Sequence, residues 1–366
     1  INNHFKCNMI SLDSRSNQSY YKKKGINYSG IKINSIYNKP YLLKLSFLRN
    51  TARYYSDNNI SKLFEEKIKR KPGLIEFMDI HSEGYQFLKN NPNKRDKTLI
   101  RSHTPFSLLR NYYTQDELRG VNACFAYRRE KKCFDWTENI TTPSQDLKKQ
   151  LVTFFNIEPN KIKVIPNILD ANHFAPIKNE PKRVFNILHV GRFERAKGVE
   201  TLMKAFIQIA KKYPDVHLTF IGNARGPSFE NCEKLLIKDN LIEHVSFKGF
   251  ATYDELPGYY SQSDLVVVPS EIYESFSYTV AQAMACGKPV IAADIGGIPE
   301  TVNFGHAGML FEVGNVEDLI EKIESLYLNS AKRDSIGHKG REHVLKNYSM
   351  EALGPKYIEY YQSIIA

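Results

Sequence analysis

From about residue 184 onward the chain alternates strand-length apolar runs with segments whose apolar residues recur at the helical period. That alternation is the signature of a parallel sheet wrapped by helices. Residues 185–190 read as a strand, and Val199, Leu202, Met203, Phe206, Ile209 and Ala210 mark one face of the helix that follows. Strands continue at 217–222, 245–249, 265–269, 289–293 and 309–313. Val316, Leu319, Ile320, Ile323 and Leu326 form another helical stripe. These stripes are core positions and carry no chemistry.

The first half is less regular. Residues 74–78, 98–102 and 139–142 read as strands, 145–155 as a helix and 161–165 as a further strand, which predicts a second α/β domain. The stretch 170–182, with Pro176, Pro181 and several charges, breaks both periods and serves as a linker. A length of 366 residues and an apolar content of 42% suffice for two cores. The expected division is 1–175, 184–345 and a Tyr-rich helix at 346–366 that packs back on the first domain.

Charge is unevenly placed. Residues 1–180 hold 31 Lys and Arg against 17 Asp and Glu, and residues 181–366 hold 20 against 23, within a net charge of +11. A basic half suits an anionic membrane surface, a phosphorylated acceptor or nucleic acid, and equally a solvated Lys/Asn-rich surface. No finger spacing, RNP-like strand or compact basic helix supports nucleic acid as a partner. Cys7, Cys124, Cys133, Cys232 and Cys286 form no C-x-x-C pair, so neither a zinc site nor a disulfide framework is expected, and a reducing cytosol fits best. Apolar runs fall far short of the roughly 20 residues that span a bilayer, and no signal-peptide pattern follows Ile1.

Three Gly-bearing junctions between strand and helix carry the candidate chemistry. Gly191-Arg192-Phe193-Glu194-Arg195-Ala196-Lys197-Gly198 lies where ligands of open parallel sheets bind, with Arg192 and Lys197 able to meet a diphosphate. Such loops with surface cations are also common without any ligand. The second block runs from Pro269 to Val290. A helix expected over 277–286 offers its N-terminal N–H groups, near Ser277 to Thr279, to a pyrophosphate. Glu274 before it and Gln282 two turns into it suit sugar hydroxyls. The competing reading makes Glu274 a residue of the helix's first turn and Gln282 a solvated side chain. Ala293-Asp294-Ile295-Gly296-Gly297-Ile298-Pro299-Glu300 repeats the theme.

Together these blocks, with Phe220-Ile221-Gly222 and Phe247-Lys248-Gly249-Phe250, resemble glycosyltransferase family 4, whose retaining enzymes use nucleotide-activated sugars. The resemblance covers nearly all of 184–330 and extends, more thinly, to Ile100-Arg101-Ser102-His103-Thr104-Pro105 and Val164-Ile165-Pro166-Asn167. It implies an α/β GT-B fold, two Rossmann-like domains facing across a cleft. It further implies that Arg192 and Lys197 neutralise the departing pyrophosphate and that Glu274 holds the transferred sugar. Gly191, Gly222, Ser275, Phe276, Ser277, Tyr278 and Thr279 would line the donor site. Gln282 would bind the ribose and backbone near Phe250 the base, with no metal and no cofactor beyond the donor itself. His103 matches the family's sugar-facing histidine, and His81 is the second candidate. The expected reaction moves a hexose, with UDP-glucose as the expected donor, to a glycan or lipid-linked acceptor in polysaccharide biosynthesis. It would take place in the cytoplasm, with peripheral contact at the anionic membrane face.

Gln282 stands where many members carry Glu, and Ser277 where glycine is frequent. The family's opening strand, Gly-rich loop and helix do not precede residues 5–12. That loop normally closes over the diphosphate, so a nucleotide-sugar-binding partner subunit with little catalysis is the alternative function. A sugar-nucleotide epimerase is a third, and lacks identifiable acid/base groups.

Overall fold

The structure, a computed structural model, describes residues 8–11, 27–30, 73–79, 82–109, 120–178 and 184–366. These fall into two compact units. The first holds the described residues up to Thr141 with Leu151–Lys163 and Pro355–Ala366, and the second holds Thr142–Gln150 and Val164–Gly354.

In the first unit, β1 (Asn8–Ser11) and β2 (Asn27–Gly30) pair in parallel. The succession then runs β3 (Ile75–Met78), α1 (Tyr85–Asn90), β4 (Thr98–Arg101), α2 (Phe106–Leu109), α3 (Gly120–Trp136), β5 (Asn139–Thr142), α4 (Gln145–Phe155) and β6 (Ile162–Val164), of which Thr142–Gln150 and Val164 fall in the second unit. Strands β3 to β6 form one sheet in that order. Leu99, Ile100 and Ile140 are buried within it. Phe155 closes the adjoining core against Tyr127, Phe134 and Phe154, with ring centroids 5.3, 5.2 and 4.9 Å away.

The second unit runs β7 (Phe185–Val190), α5 (Val199–Lys212), β8 (Val216–Ile221), α6 (Pro227–Lys238), β9 (Val245–Phe247), α7 (Leu256–Gln262), β10 (Leu265–Val268), α8 (Tyr278–Ala285), β11 (Val290–Ala293), α9 (Ile298–Thr301), β12 (Met309–Phe311), α10 (Val316–Tyr327) and α11 (Ser330–Asn347). Its six strands lie in the order β12-β11-β10-β7-β8-β9, with parallel pairings throughout. Successive strand residues serve opposite faces. Ile187, Leu265, Val267, Ile291 and Ala293 join the core under α5 and α10. Leu188, Val266, Val268, Val290 and Ala292 join the one under α8. A sheet covered on both faces favours apolar residues at every strand position, which is why β10 and β11 read as unbroken runs.

The last helix, α12 (Met350–Ile365), contributes to the first unit from Pro355 onward. There the Arg101 guanidinium donates to Glu76 at 2.6 and 3.3 Å, to the Tyr357 hydroxyl at 2.7 Å and to the Tyr361 hydroxyl at 2.6 Å. The charge is shared among three partners, and the planar fork fixes their geometry.

Phe206 on α5 is fully buried against the β7–β10 face. Phe206→Ala is expected to cost the second unit about 3–5 kcal/mol, measured as a lowered urea midpoint with an unchanged slope.

Candidate functional site

Reading the second sheet from β9, the order goes β9, β8, β7 and then jumps to β10, β11, β12. Beyond the carboxyl ends of β7 and β10 the connections leave toward opposite faces of the sheet, and such a reversal opens a crevice in open parallel sheets. Two segments meet there, residues 191–198 after β7 and residues 269–277 after β10. The Glu271 N–H donates to the Ala196 carbonyl at 3.0 Å, and the Thr201 hydroxyl donates to the Glu271 carboxylate at 2.6 Å. Gly198 has φ +68°, and a Cβ there would lie 1.7 Å from the Pro269 carbonyl oxygen. Only glycine permits both that backbone conformation and that approach. The loops after β8 and β9 stack alongside. Gly191 N–H donates to Ile221 at 2.9 Å and Gly222 N–H to Gly249 at 2.7 Å. A Cβ on Gly222 would meet the Gly191 oxygen at 1.9 Å.

At the centre, the Lys197 ammonium donates to Glu274 Oε1 at 2.6 Å, and the Ser270 hydroxyl donates to the same oxygen at 2.5 Å. The two charged side chains are 24% and 14% exposed, so the pair is partly dried yet open to a ligand. Glu274 precedes α8 rather than lying in its first turn. The Gly297 N–H holds its carbonyl at 2.7 Å. Cβ atoms on Gly296 or Gly297 would collide with the Glu274 or Ser275 oxygens at 2.4 and 2.1 Å. The third Gly-bearing loop thus clamps the backbone of the second.

Helix α8 starts beside this pair. Ser277 is its N-cap in an extended conformation, no side chain caps it, and its first turn holds no acidic residue. The positive end of the helix is therefore not neutralised from within its own first turn. Ser275 and Ser277 are buried, Tyr278 is exposed, and Phe276 packs edge-on against Tyr348 at 5.3 Å.

Arg192 lies in the segment after β7. Its side chain is 66% exposed and pairs with Glu194 at 3.1 Å, in a solvated ion pair. Phe250 is 76% exposed, ring outward, next to Gly249 with φ +72°. Gln282 is half-buried, and its carbonyl accepts the Tyr260 hydroxyl at 2.9 Å, so it is not a merely solvated residue. His103 lies in the first unit, just after β4. Its N–H donates to the buried Asp79 carboxylate at 3.1 Å, and the Ser102 hydroxyl donates to the same oxygen at 2.6 Å. Just beyond, the buried Glu130 carboxylate accepts the N–H groups of Phe106 and Ser107 at 2.7 and 3.1 Å. The His103 loop is held at both ends by carboxylates. Burial, reinforced by Arg101, lowers the His103 pKa to about 4, so its imidazole is neutral near pH 7. His81 lies outside the described residues, as does the segment between β1 and β2.

Sequence reasoning missed three contributors: Ser270, Asp79 and His189. Ser270 sits in the second Gly-bearing block, but only folding shows its hydroxyl on Glu274. His189 reads as one residue of a strand. It is buried, its Nδ1 contacts the Val267 carbonyl at 3.1 Å, and burial lowers its pKa to about 4. Nδ1 therefore carries the proton and Nε2 is a bare acceptor, unbonded among the described residues. It lies 3.1 Å from where a Gly191 Cβ would stand. A histidine interrupting an otherwise largely apolar strand is the sequence signal that could have flagged it.

Residues 26–173 match the family model of Glycosyltransferase Family 4, and residues 170–343 that of Glycosyl transferases group 1. The chain belongs to the family 4-type glycosyltransferases. Over 225 residues it is 27% identical to a D-inositol 3-phosphate glycosyltransferase of Paenarthrobacter aurescens (strain TC1), covering 59% of this chain and 55% of that protein. It is 31% identical over 218 residues to the sulfoquinovosyl transferase SQD2 of Arabidopsis thaliana, covering 56% and 40%. The matches thus span about half the length of these curated relatives. Among solved structures, a sucrose-phosphate synthase from Thermosynechococcus elongatus superposes with a TM-score of 0.74 at 23% identity, over 85% of this chain and 78% of that one. Anabaena HepE in complex with UDP and glucose gives 0.73 at 18%, over 97% and 91%. These likenesses establish the α/β GT-B fold.

Two expectations test the site's construction. Gly198→Ala should destabilise the second unit by at least about 2 kcal/mol, because it adds a left-handed non-glycine residue to a steric clash. Thermal unfolding would show it. The unfolded His189 imidazole binds a proton near its ordinary value and the folded one only near pH 4. The stability it confers is complete above about pH 6.5 and drains as pH falls toward 4, by about 3 kcal/mol. Burial raises Glu130 to about 7, with the opposite sign in an overlapping window. The readout is therefore the difference between wild type and His189→Gln, which should narrow from pH 7 to pH 4.5.

Proposed function

We propose that this protein transfers a hexose from a nucleoside-diphosphate sugar, with UDP-glucose as the donor, to a glycan or lipid-linked acceptor. The observation that carries the reading is the Lys197–Glu274 pair beside the uncapped start of α8. A cation, a carboxylate and the start of a helix that no side chain caps converge within one crevice, a set of groups that suits a phosphorylated sugar. The UDP and glucose held by Anabaena HepE, which shares the fold, support the choice of donor.

In this reading Lys197 shifts from Glu274 to the diphosphate when the donor binds, with Arg192 swinging in from its solvated pair. Glu274, still held by Ser270, turns its carboxylate to the hydroxyls of the sugar. As the bond from sugar to phosphate lengthens, negative charge grows on the leaving diphosphate, and Lys197 with the helix end stabilises it in place. These positive groups fill the role that a metal plays elsewhere. Ser275 to Thr279 supply backbone and hydroxyl donors, Gly191 and Gly222 let the backbone approach, and Phe250 marks the base. For the first unit, the reading assigns the neutral His103 imidazole to a sugar hydroxyl. Stereochemistry is retained, and the proton of the acceptor leaves on the departing phosphate. Among the described residues no helix is long and apolar enough to cross a membrane. The basic charge of residues 1–180 supports peripheral contact with anionic lipid.

A thermal-shift screen against UDP, GDP, ADP and their common sugar conjugates should raise the melting temperature with the uridine compounds. Glu274→Ala and Lys197→Ala should each weaken that binding at least about tenfold. Glucose release or transfer from UDP-glucose should disappear in both variants. No shift with any nucleotide would overturn the proposal.

A further inference from the structure

Gln282 has a partner that no motif announces. Tyr260, on α7, is fully buried, and its hydroxyl donates to the Gln282 carbonyl oxygen at 2.9 Å. Burial drives the phenol pKa up, so the group keeps its proton.

This hydrogen bond has a direction. A phenol has one proton to give, and a buried O–H without an acceptor is costly. If the Gln282 amide were turned over, its NH₂ would face the phenol and the Tyr260 proton would point at other protons. The carbonyl therefore stays inward. The NH₂ of the half-buried Gln282 is therefore the edge turned away from Tyr260.

We propose that Tyr260 is a positioning residue that fixes the polarity of Gln282, so that the ribose of the bound nucleotide is read by an amide that donates. This rests on the proposed nucleotide-sugar site. A carboxylate at position 282 would take protons from ribose hydroxyls and require a ligand that gives them. The locked amide requires only lone pairs on the ribose substituent. The exchange of a carboxylate for an amide thus inverts the hydrogen-bond demand at this point, and Tyr260 prevents the amide from reversing it.

Two analogues separate the possibilities, 2′-fluoro-2′-deoxy-UDP and 3′-fluoro-3′-deoxy-UDP, whose fluorine keeps lone pairs but has no proton. Calorimetric titration of the wild-type chain should give affinities for both within about threefold of UDP. Gln282→Glu should bind at least one of them about tenfold or more weakly than it binds UDP. Tyr260→Phe keeps the buried ring and frees the amide to rotate, so its preference for UDP over the analogues should rise at least about threefold. A general loss of packing would lower all affinities together and leave that ratio unmoved.

Discrimination of tenfold or more by the wild type, or an unchanged ratio in Tyr260→Phe, would overturn the proposal while leaving nucleotide binding intact. If Tyr260→Phe does not fold, equal ratios in wild type and Gln282→Glu overturn it alone. Failure of the wild type to bind UDP, GDP or ADP would instead remove the nucleotide reading, and this inference with it.

Discussion

The carboxylate of Glu274 accepts from Lys197 at 2.6 Å and from Ser270 at 2.5 Å, and everything else in the crevice is arranged so that this contact can form. Lys197 ends the segment after β7, and Glu274 lies on the segment after β10. Those strands are neighbours because the sheet reverses its order between them. The connections pull the segments apart, and glycine lets them touch again. Gly198 comes against the Pro269 carbonyl, and Gly296 and Gly297 come against the Glu274–Ser275 backbone. A side chain at any of these positions would push the charged groups away from each other.

The electrostatics of the crevice are divided between fixed and exchangeable charge. The start of α8 is a fixed positive end with no acidic residue in its own first turn. The Lys197–Glu274 pair is exchangeable, because each member satisfies the other until a ligand offers a phosphate to one and hydroxyls to the other. Beneath it, His189 is kept neutral by burial, which spares the crevice a further buried charge. In the first unit the same physics acts on His103, neutral through burial and held by its backbone on Asp79.

Elements whose buried face is apolar were legible in the sequence, and elements buried by other means were not. Helix α5 announces itself because Leu202, Phe206 and Ile209 recur at the helical period. Helix α11 does not, because its buried positions are Gly337, Gly340 and Val344. A Cβ on Gly337 would strike the Gly287 carbonyl oxygen at 2.3 Å, so this contact is made by missing side chains and leaves no hydrophobic stripe. Helix α3 hides for another reason: Arg129 and Glu130, charged residues that normally mark a solvated face, are buried in it. Strand limits differed by a residue or so, as at β8, read as 217–222 and found at Val216–Ile221.

The sequence by itself determined the parallel α/β architecture, the three Gly-bearing junctions and the residue types at Lys197, Glu274 and Gln282. Periodicity and glycine placement are local, and a linear chain records them. Which groups meet is decided by packing between segments far apart in sequence. Ser270 and Lys197 converge on one oxygen, Tyr260 turns the amide of Gln282, and Arg192, equal to Lys197 on paper, ends in solvent with Glu194. Hydrogen bonds are short-ranged and directional, so spacing can nominate their donors and acceptors, but only the folded chain brings a given pair within reach and aligns it.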